Sequence, residues 1–154
     1  MKVTKKTPDH AQWTIEGRRE LHFLCKVSHP NVVKLLSVRH TKSDIQLMMP
    51  LYDCDLRTHI RKCTLTATSA TKIFADLCSA VKAIHGLAIL HRDIKPANVL
   101  VRCQPLAAVV SDFGCSVSLP CPKTLTSEVC TLWYRAPEIM TARSSYSFPS
   151  DVWS

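Results

Sequence analysis

His91-Arg92-Asp93-Ile94-Lys95-Pro96-Ala97-Asn98 is the stretch that decides the reading of this chain, with Asp112-Phe113-Gly114 and Ala136-Pro137-Glu138 after it. The first run follows directly on the best helix in the sequence. From Ser69 to His85, Ala70, Ile73, Phe74, Leu77, Val81 and Ile84 make one apolar face, and Gly86 is expected to end it. Short strands are expected at 99–101 and 107–111, and 112–137 reads as one long ordered loop, a length usually kept for function. Upstream, Leu21, Leu24 and Val27 recur at helical spacing, so a helix is expected from Thr14 to Val27, stopped by His29-Pro30. Val32–Val38 and Ile45–Met49 are apolar enough for two strands around the polar turn at 41–44, Met1–Val3 opens as a strand, and Asp55 is placed to cap a short helix through Lys62. Strands with one helix come first and a mostly helical part follows. That order predicts two lobes with a cleft between them.

Composition narrows the function. The 154 residues carry 20 Lys+Arg against 12 Asp+Glu, a formal net charge of +8. The longest stretch without Lys, Arg, Asp or Glu runs from Phe113 to Pro122, too short to span a bilayer, so no membrane partner is expected. The positive charge is scattered and no nucleic-acid motif accompanies it, so a nucleic-acid partner is not expected either. The three glycines, Gly17, Gly86 and Gly114, stand far apart and exclude a glycine-rich phosphate loop within the chain. The eight cysteines contain no C-x-x-C pair, and no signal segment opens the chain. They are read as free thiols of a reducing compartment, cytoplasmic or nuclear, mostly filling the core as small hydrophobes, without the tight clustering of a structural zinc site.

The three motifs in this order resemble the signature set of the protein-kinase superfamily. No single tripeptide is specific; three in order, with Lys95 and Asn98 at the right offsets, are. The resemblance implies an α+β, two-lobed fold, with residues 1–49 in the small lobe, 50–55 as the hinge and 56–154 in the large lobe. It implies ATP and Mg2+ as cofactors and ATP-dependent phosphorylation of protein Ser/Thr residues. Asp93 would orient the substrate hydroxyl and take its proton, Lys95 would neutralise the transferred phosphoryl group, and Asn98 and Asp112 would hold the metal. Two carboxylates in one cleft repel each other unless a divalent cation neutralises one of them.

The same register carries further residues. Met1-Lys2-Val3 looks like the end of the strand that bears the nucleotide-binding lysine, so Lys2 would reach the α- and β-phosphates, and Glu20, inside the expected first helix, would pair with it. Met49 would be the gatekeeper, Pro50 would offer its carbonyl to the adenine amino group, and Tyr52 would bind the base through its backbone. Asp55 would take the ribose, which is compatible with capping a helix; Leu100 would floor the base or simply pack in the core. Thr131-Leu132-Trp133-Tyr134-Arg135-Ala136-Pro137-Glu138 is similar to the cyclin-dependent-kinase form of this segment (the CMGC group), as are Val32–Leu36 and Asp151-Val152-Trp153-Ser154. That likeness implies Ser/Thr-Pro substrates and a cyclin-like activator, although Thr14–Glu20 keeps only the Arg-Glu ending of the cyclin-contacting motif. It places the activating phosphosite at Thr126, held by Arg19 and Arg92, with Val117 where a third arginine is usual.

The resemblance covers the middle of a kinase domain. The glycine-rich loop would precede Met1, and the chain would stop at the start of the central helix, where Asp151 would brace the catalytic loop. The alternative function is therefore a catalytically inactive truncated kinase that serves as a partner-binding module. Little turnover is expected of the 154 residues alone, and the helix at 69–85 is expected to leave apolar surface exposed.

Overall fold

The computed structural model describes residues 2–5, 15–40, 44–120, 132–141 and 147–154, with the backbone alone at 2–5 and 44. β3 (Asp44–Met48) is the centre of a three-stranded antiparallel sheet, flanked by β1 (Lys2–Lys5) and β2 (Ser37–His40). Lys2 and Val38 both stand opposite Leu47 in this register. Alternation along β3 buries Ile45 and Leu47 and leaves Met48 exposed, the pattern of a strand covered on one face. The cover is α1 (Ile15–Lys26), which turns Phe23 and Leu24 into the same core. The helix stops where His29-Pro30 cannot continue it, as the sequence suggests.

The remaining described residues are built round a second sheet. β4 (Cys54–Asp55), β6 (Val99–Cys103) and β7 (Leu106–Val110) lie in the order β4-β6-β7, all antiparallel. Asp55 caps α2 (Leu56–Lys62) as expected, its Oδ1 accepting from the Thr58 N–H at 2.7 Å. α3 (Ala67–Gly86) packs on β7 and begins two residues earlier than the sequence suggested, because Thr66 is its N-cap and accepts from the Ser69 N–H at 3.2 Å.

Several expectations need correction. Val32–Val38 is not one strand: β2 begins only at Ser37. Val33 instead donates its N–H to the Val110 carbonyl at 2.9 Å, and the Val110 N–H donates to Asn31 O at 2.9 Å. Val32 and Val33 are spent on the core at the end of β7, where burying them outweighs prolonging the first sheet. The packed stripe of α3 is Ile73, Asp76, Leu77, Ala80 and Ile84. Phe74, one residue and so about 100° round the helix from Ile73, is 68% exposed, and Ala70 is exposed as well. Asp76 takes a place on the stripe because it accepts from the Ala108 N–H at 3.0 Å and binds the Lys72 ammonium. Burial works against its charge, yet these two partners hold its carboxyl below the usual range. Gly86 is the last helical residue, not a left-handed cap; the positive φ falls at Ala88 (56°).

The segment expected as one loop contains structure. A 3-10 turn at Phe113–Cys115 leads to β8 (Val117–Ser118), which pairs with β5 (Ile89–Leu90); a further 3-10 turn spans Leu132–Tyr134. Short helices follow, α4 (Pro137–Met140) and α5 (Pro149–Trp153). None of the six described cysteines is buried: Cys25, Cys63, Cys78 and Cys103 are exposed, and Cys54 and Cys115 are half-buried. They are free thiols, but not core residues. Among the described residues no helix is long and apolar enough to cross a membrane.

Because Gly86 needs no positive φ and a Cβ there would meet nothing within 4 Å, Gly86→Ala is expected to stabilise the fold by about 0.5 kcal/mol. The urea unfolding midpoint checks it; a lower midpoint in the variant would contradict the helical assignment of this position.

Candidate functional site

The site begins with a backbone that must be held in place. Arg92 has φ 69°, a left-handed conformation that costs an ordinary residue roughly 1–2 kcal/mol. What stabilises it is Asp151 on α5. Its Oδ2 accepts the His91 N–H and its Oδ1 the Arg92 N–H, each at 2.8 Å. His85, near the end of α3, meets the same carboxylate through Nε2 at 2.9 Å. The bracing role anticipated for Asp151 is thus present in the structure. Arg92 adds a bond from its Nε to the Cys115 carbonyl, which ties this turn to the one after β7.

His91 is fully buried and works as a spacer. Its Nε2 lies 3.1 Å from the Ser111 carbonyl, and its Nδ1 accepts the Asp93 N–H at 3.3 Å. One nitrogen donates and the other accepts, which is the neutral ring. Burial pushes its pKa below the usual value, in agreement with that bonding. The ring also packs edge-on against Phe113, centroids 4.9 Å apart.

On this support the polar groups converge. Lys95 Nζ donates to both oxygens of Asp93, at 3.0 and 2.7 Å. Asn98 donates both its Nδ2 bonds to Asp93, one to the main-chain carbonyl at 2.9 Å and one to Oδ2 at 2.8 Å. Asn98 is itself fixed through its carbonyl, which accepts from Ser111 N and Ser111 Oγ, both at 2.8 Å. Asp112 lies next along the chain with φ 65°, a conformation aspartate tolerates better than most residues. Its Oδ1 accepts a long bond, 3.4 Å, from the Gly114 N–H. A Cβ at Gly114 would stand 3.3 Å from that oxygen and 3.5 Å from Glu16 Cβ on α1. An added Cβ would crowd the Asp112 carboxylate, while its contact with α1 would be an ordinary one.

A cleft of about 480 Å³ lies between the two sheets. Met49, Pro50, Tyr52, Asp55, Asn98, Leu100, Asp112 and the buried Glu20 all line it, so most residues proposed from the sequence meet around one space. Leu51, Cys54, Ala97 and Ser111 also line it and were not singled out by the motifs. Leu51 and Ala97 are apolar, Cys54 comes there through the pairing of β4 with β6, and Ser111 through its hydrogen bonds to the Asn98 carbonyl. Asp55 serves its helix and the cleft at once, and the Thr58 N–H holds its carboxyl below the usual range. Leu100 packs against the main core and also lines the cleft. Lys2 is on β1, but its side chain lies outside the described residues, as does Thr126. Arg19 and Val117 line one shallow hollow beside α1, whereas Arg92 is buried and bonded to Cys115.

The donor set suits a small hard cation. Asn98 has spent its amide hydrogens on Asp93, so its remaining side-chain donor atom toward a metal is the amide oxygen, and Asp112 supplies a carboxylate. Oxygen ligands of this kind, few in number and completed by water or phosphate, fit Mg2+.

Comparison with known proteins agrees with this geometry. The family model described as "Protein kinase domain" matches residues 1–154. A "Probable CTD kinase subunit alpha homolog" of Encephalitozoon cuniculi (strain GB-M1) is 36% identical over 154 residues, 99% of this chain and 46% of that protein. A "Probable cell division protein kinase" of the same organism is 36% identical over 137 residues, 88% of this chain and 51% of that protein. The chain therefore spans about half the length of these curated relatives.

Two predictions follow from the bracing. Asp151→Ala leaves two N–H groups in a buried turn without their acceptor, at roughly 1–3 kcal/mol each, so a loss of about 3 kcal/mol is expected in chemical denaturation. Asp151→Asn, which keeps one oxygen, is expected to lose less. A folded-state pKa of His91 below that of the unfolded chain means the unfolded state binds more protons below about pH 6.5. Its contribution to stability is present above that pH and is lost as the pH falls toward the folded pKa. The ring nitrogen shifts of His91 in NMR should show the neutral ring from pH 7.5 to 6; titration near 6.5 would contradict this reading.

Proposed function

The chain belongs to the protein kinase family, and from that premise we propose that the protein transfers phosphoryl groups from ATP to Ser/Thr residues followed by proline, as a cyclin-dependent-kinase-like enzyme. The observation that carries the catalytic part is the Asp93 carboxylate held between Lys95 Nζ and Asn98 Nδ2. A carboxylate fixed from two sides cannot swing, which is what positioning a substrate hydroxyl requires. In this reading Asp93 orients that hydroxyl and accepts its proton, and Lys95 meets the charge on the transferred group. Bound Mg2+ and ATP would supply the phosphoryl group and the positive charge that lets Asp93 and Asp112 share a cleft. Asn98 and Asp112 would hold the metal, Pro50 and Tyr52 the base through their backbone, and Asp55 the ribose. Met49 would limit the depth of the cleft and Leu100 would close its floor. Lys2 would reach the α- and β-phosphates with Glu20 as its partner.

The finer parts rest on likeness. The Thr131–Glu138 segment supports proline direction, and the relatives' names, a cell division protein kinase and a kinase subunit, support the subgroup and a cyclin-like activating partner. Thr126 would be the activating phosphosite. Its phosphate, bringing about −1.5 to −2 charge, would be drawn to Arg19 and Arg92, and held less firmly for want of an arginine at Val117.

In the full-length protein with its activator, Asp93→Asn is expected to lower kcat by about 10²–10⁴-fold on a Ser-Pro peptide. Wild type should use a Ser-Ala peptide far less well. Wild-type rates in the variant would remove Asp93 from its role, and equal use of the two peptides would remove proline direction. For the phosphosite, Thr126→Ala should lose the gain in activity on activation, and Val117→Arg should enlarge it. Thr126→Ala as active as phosphorylated wild type would reject the assignment.

A further inference from the structure

At the wall of the cleft, and among the described residues, one group of side chains converges without a role in phosphoryl transfer. Cys54 on β4, His59 on α2 and Cys103 at the end of β6 bring their ligating atoms within 4.8 Å of one another. His59 Nδ1 lies 4.0 Å from Cys103 Sγ. We propose that these three residues, with Cys63 as the fourth ligand, form a tetrahedral site for a thiophilic divalent cation, Zn2+.

The geometry is close to what such a site needs. Bond lengths of about 2.3 Å to sulfur and 2.0–2.1 Å to nitrogen place neighbouring ligand atoms of a tetrahedron roughly 3.4–3.8 Å apart. The present separations of Cys54, His59 and Cys103 require side-chain adjustments of about an ångström and no change of fold, while Cys63, outside that group of three, must turn in from the end of α2. The supports are rigid. Cys54 pairs with Val101 two residues before Cys103, so both thiols stand on one face of the β4–β6 ladder. The Cys103 N–H donates to Asp53 Oδ2 at 2.7 Å, and α2 is fixed at its start by Asp55. Cys63 closes the same helix one turn beyond His59, its N–H donating to the His59 carbonyl at 2.9 Å.

The electrostatics point the same way. Asp53 precedes Cys54 and Asp55 follows it along the chain, and Asp53 Oδ2 already holds the Cys103 N–H. Crowded potential anions beside carboxylates are what a dication would relieve. On binding, the three thiols give up their protons to solvent and Nδ1 gives its lone pair, with no change of oxidation state. The bound ion would pin α2 to β4 and β6 at the wall of the cleft that Cys54 and Asp55 line. Sequence spacing does not reveal the site, because Cys103 joins the other three ligands only through strand pairing.

The test uses the full-length protein, reduced and stripped of metal, titrated with Zn2+ against a chromophoric chelator, and with Co2+ as a spectroscopic stand-in. Expected are one tight equivalent lost on chelation, release of two to three protons at pH 7, and a thiolate-to-cobalt charge-transfer band with tetrahedral d–d bands. Cys54→Ser, His59→Gln, Cys63→Ser and Cys103→Ser should each weaken binding by about tenfold or more, and Cys25→Ser should not. Cys103 is exposed, so Cys103→Ser keeps the test valid if His59→Gln fails to fold. Absent uptake, uptake indifferent to Cys54 and Cys103, or a Cys54–Cys103 disulfide forming from the reduced protein in place of metal binding would each overturn the site. Uptake indifferent to Cys63→Ser alone would overturn the fourth ligand.

Discussion

The Asp151 carboxylate is the constraint on which the polar centre depends. It takes two main-chain N–H groups from consecutive residues and a histidine from α3. The two main-chain donors belong to buried residues, where an unpaired N–H is costly. Because the acceptor is a charged group on another helix, the bonds are strong and they also fix where α5 sits. The left-handed turn at Arg92 persists because this carboxylate over-determines it. Turned that way, the chain delivers His91 to the core and Asp93 to the side on which Lys95 and Asn98 wait.

From there the order spreads by shared atoms more than by long contacts. Ser111 accepts from His91 through its carbonyl and donates to Asn98 through N–H and hydroxyl, so the run at 91–98 and the turn at 112–114 are spaced by one residue. The second turn in turn receives α1. Phe113 enters the core that also takes Phe23, Leu24, Ile45 and Leu47, so the same packing that buries it carries Glu20 to the edge of the cleft. Movement of α1 would therefore be felt at Asp112.

Much of this was legible in the chain. Motif order singled out Asp93, Lys95, Asn98 and Asp112; Lys95 and Asn98 bond Asp93, and Asn98 and Asp112 line one cleft, because residues at fixed short offsets keep their spacing whatever the error in the strands between them. Helices read from periodicity were right to within two residues at α3 and one at α1. Proline and an aspartate cap act locally, within a few residues, and so can be read locally. The misreadings were of another kind. Val32–Val38 was apolar enough for a strand, but its first half is claimed by β7, far away in sequence. Phe74 fits the periodic face in composition and misses it in angle, while Asp76 joins the stripe because a remote N–H awaits it. The cysteines were assigned to the core by type, and the described ones lie at its surface.

The sequence by itself determined the family, which polar residues stand at the motif offsets, and the ends of α1, α2 and α3 to within two residues, since each follows from residue identity and short spacing. Only the tertiary structure decided which apolar residues are buried. It alone brought Cys54, His59 and Cys103 together. Those outcomes turn on pairings between segments tens of residues apart. Which of several comparable burials or hydrogen bonds wins is set by what the folded chain places alongside, and local sequence carries no record of that.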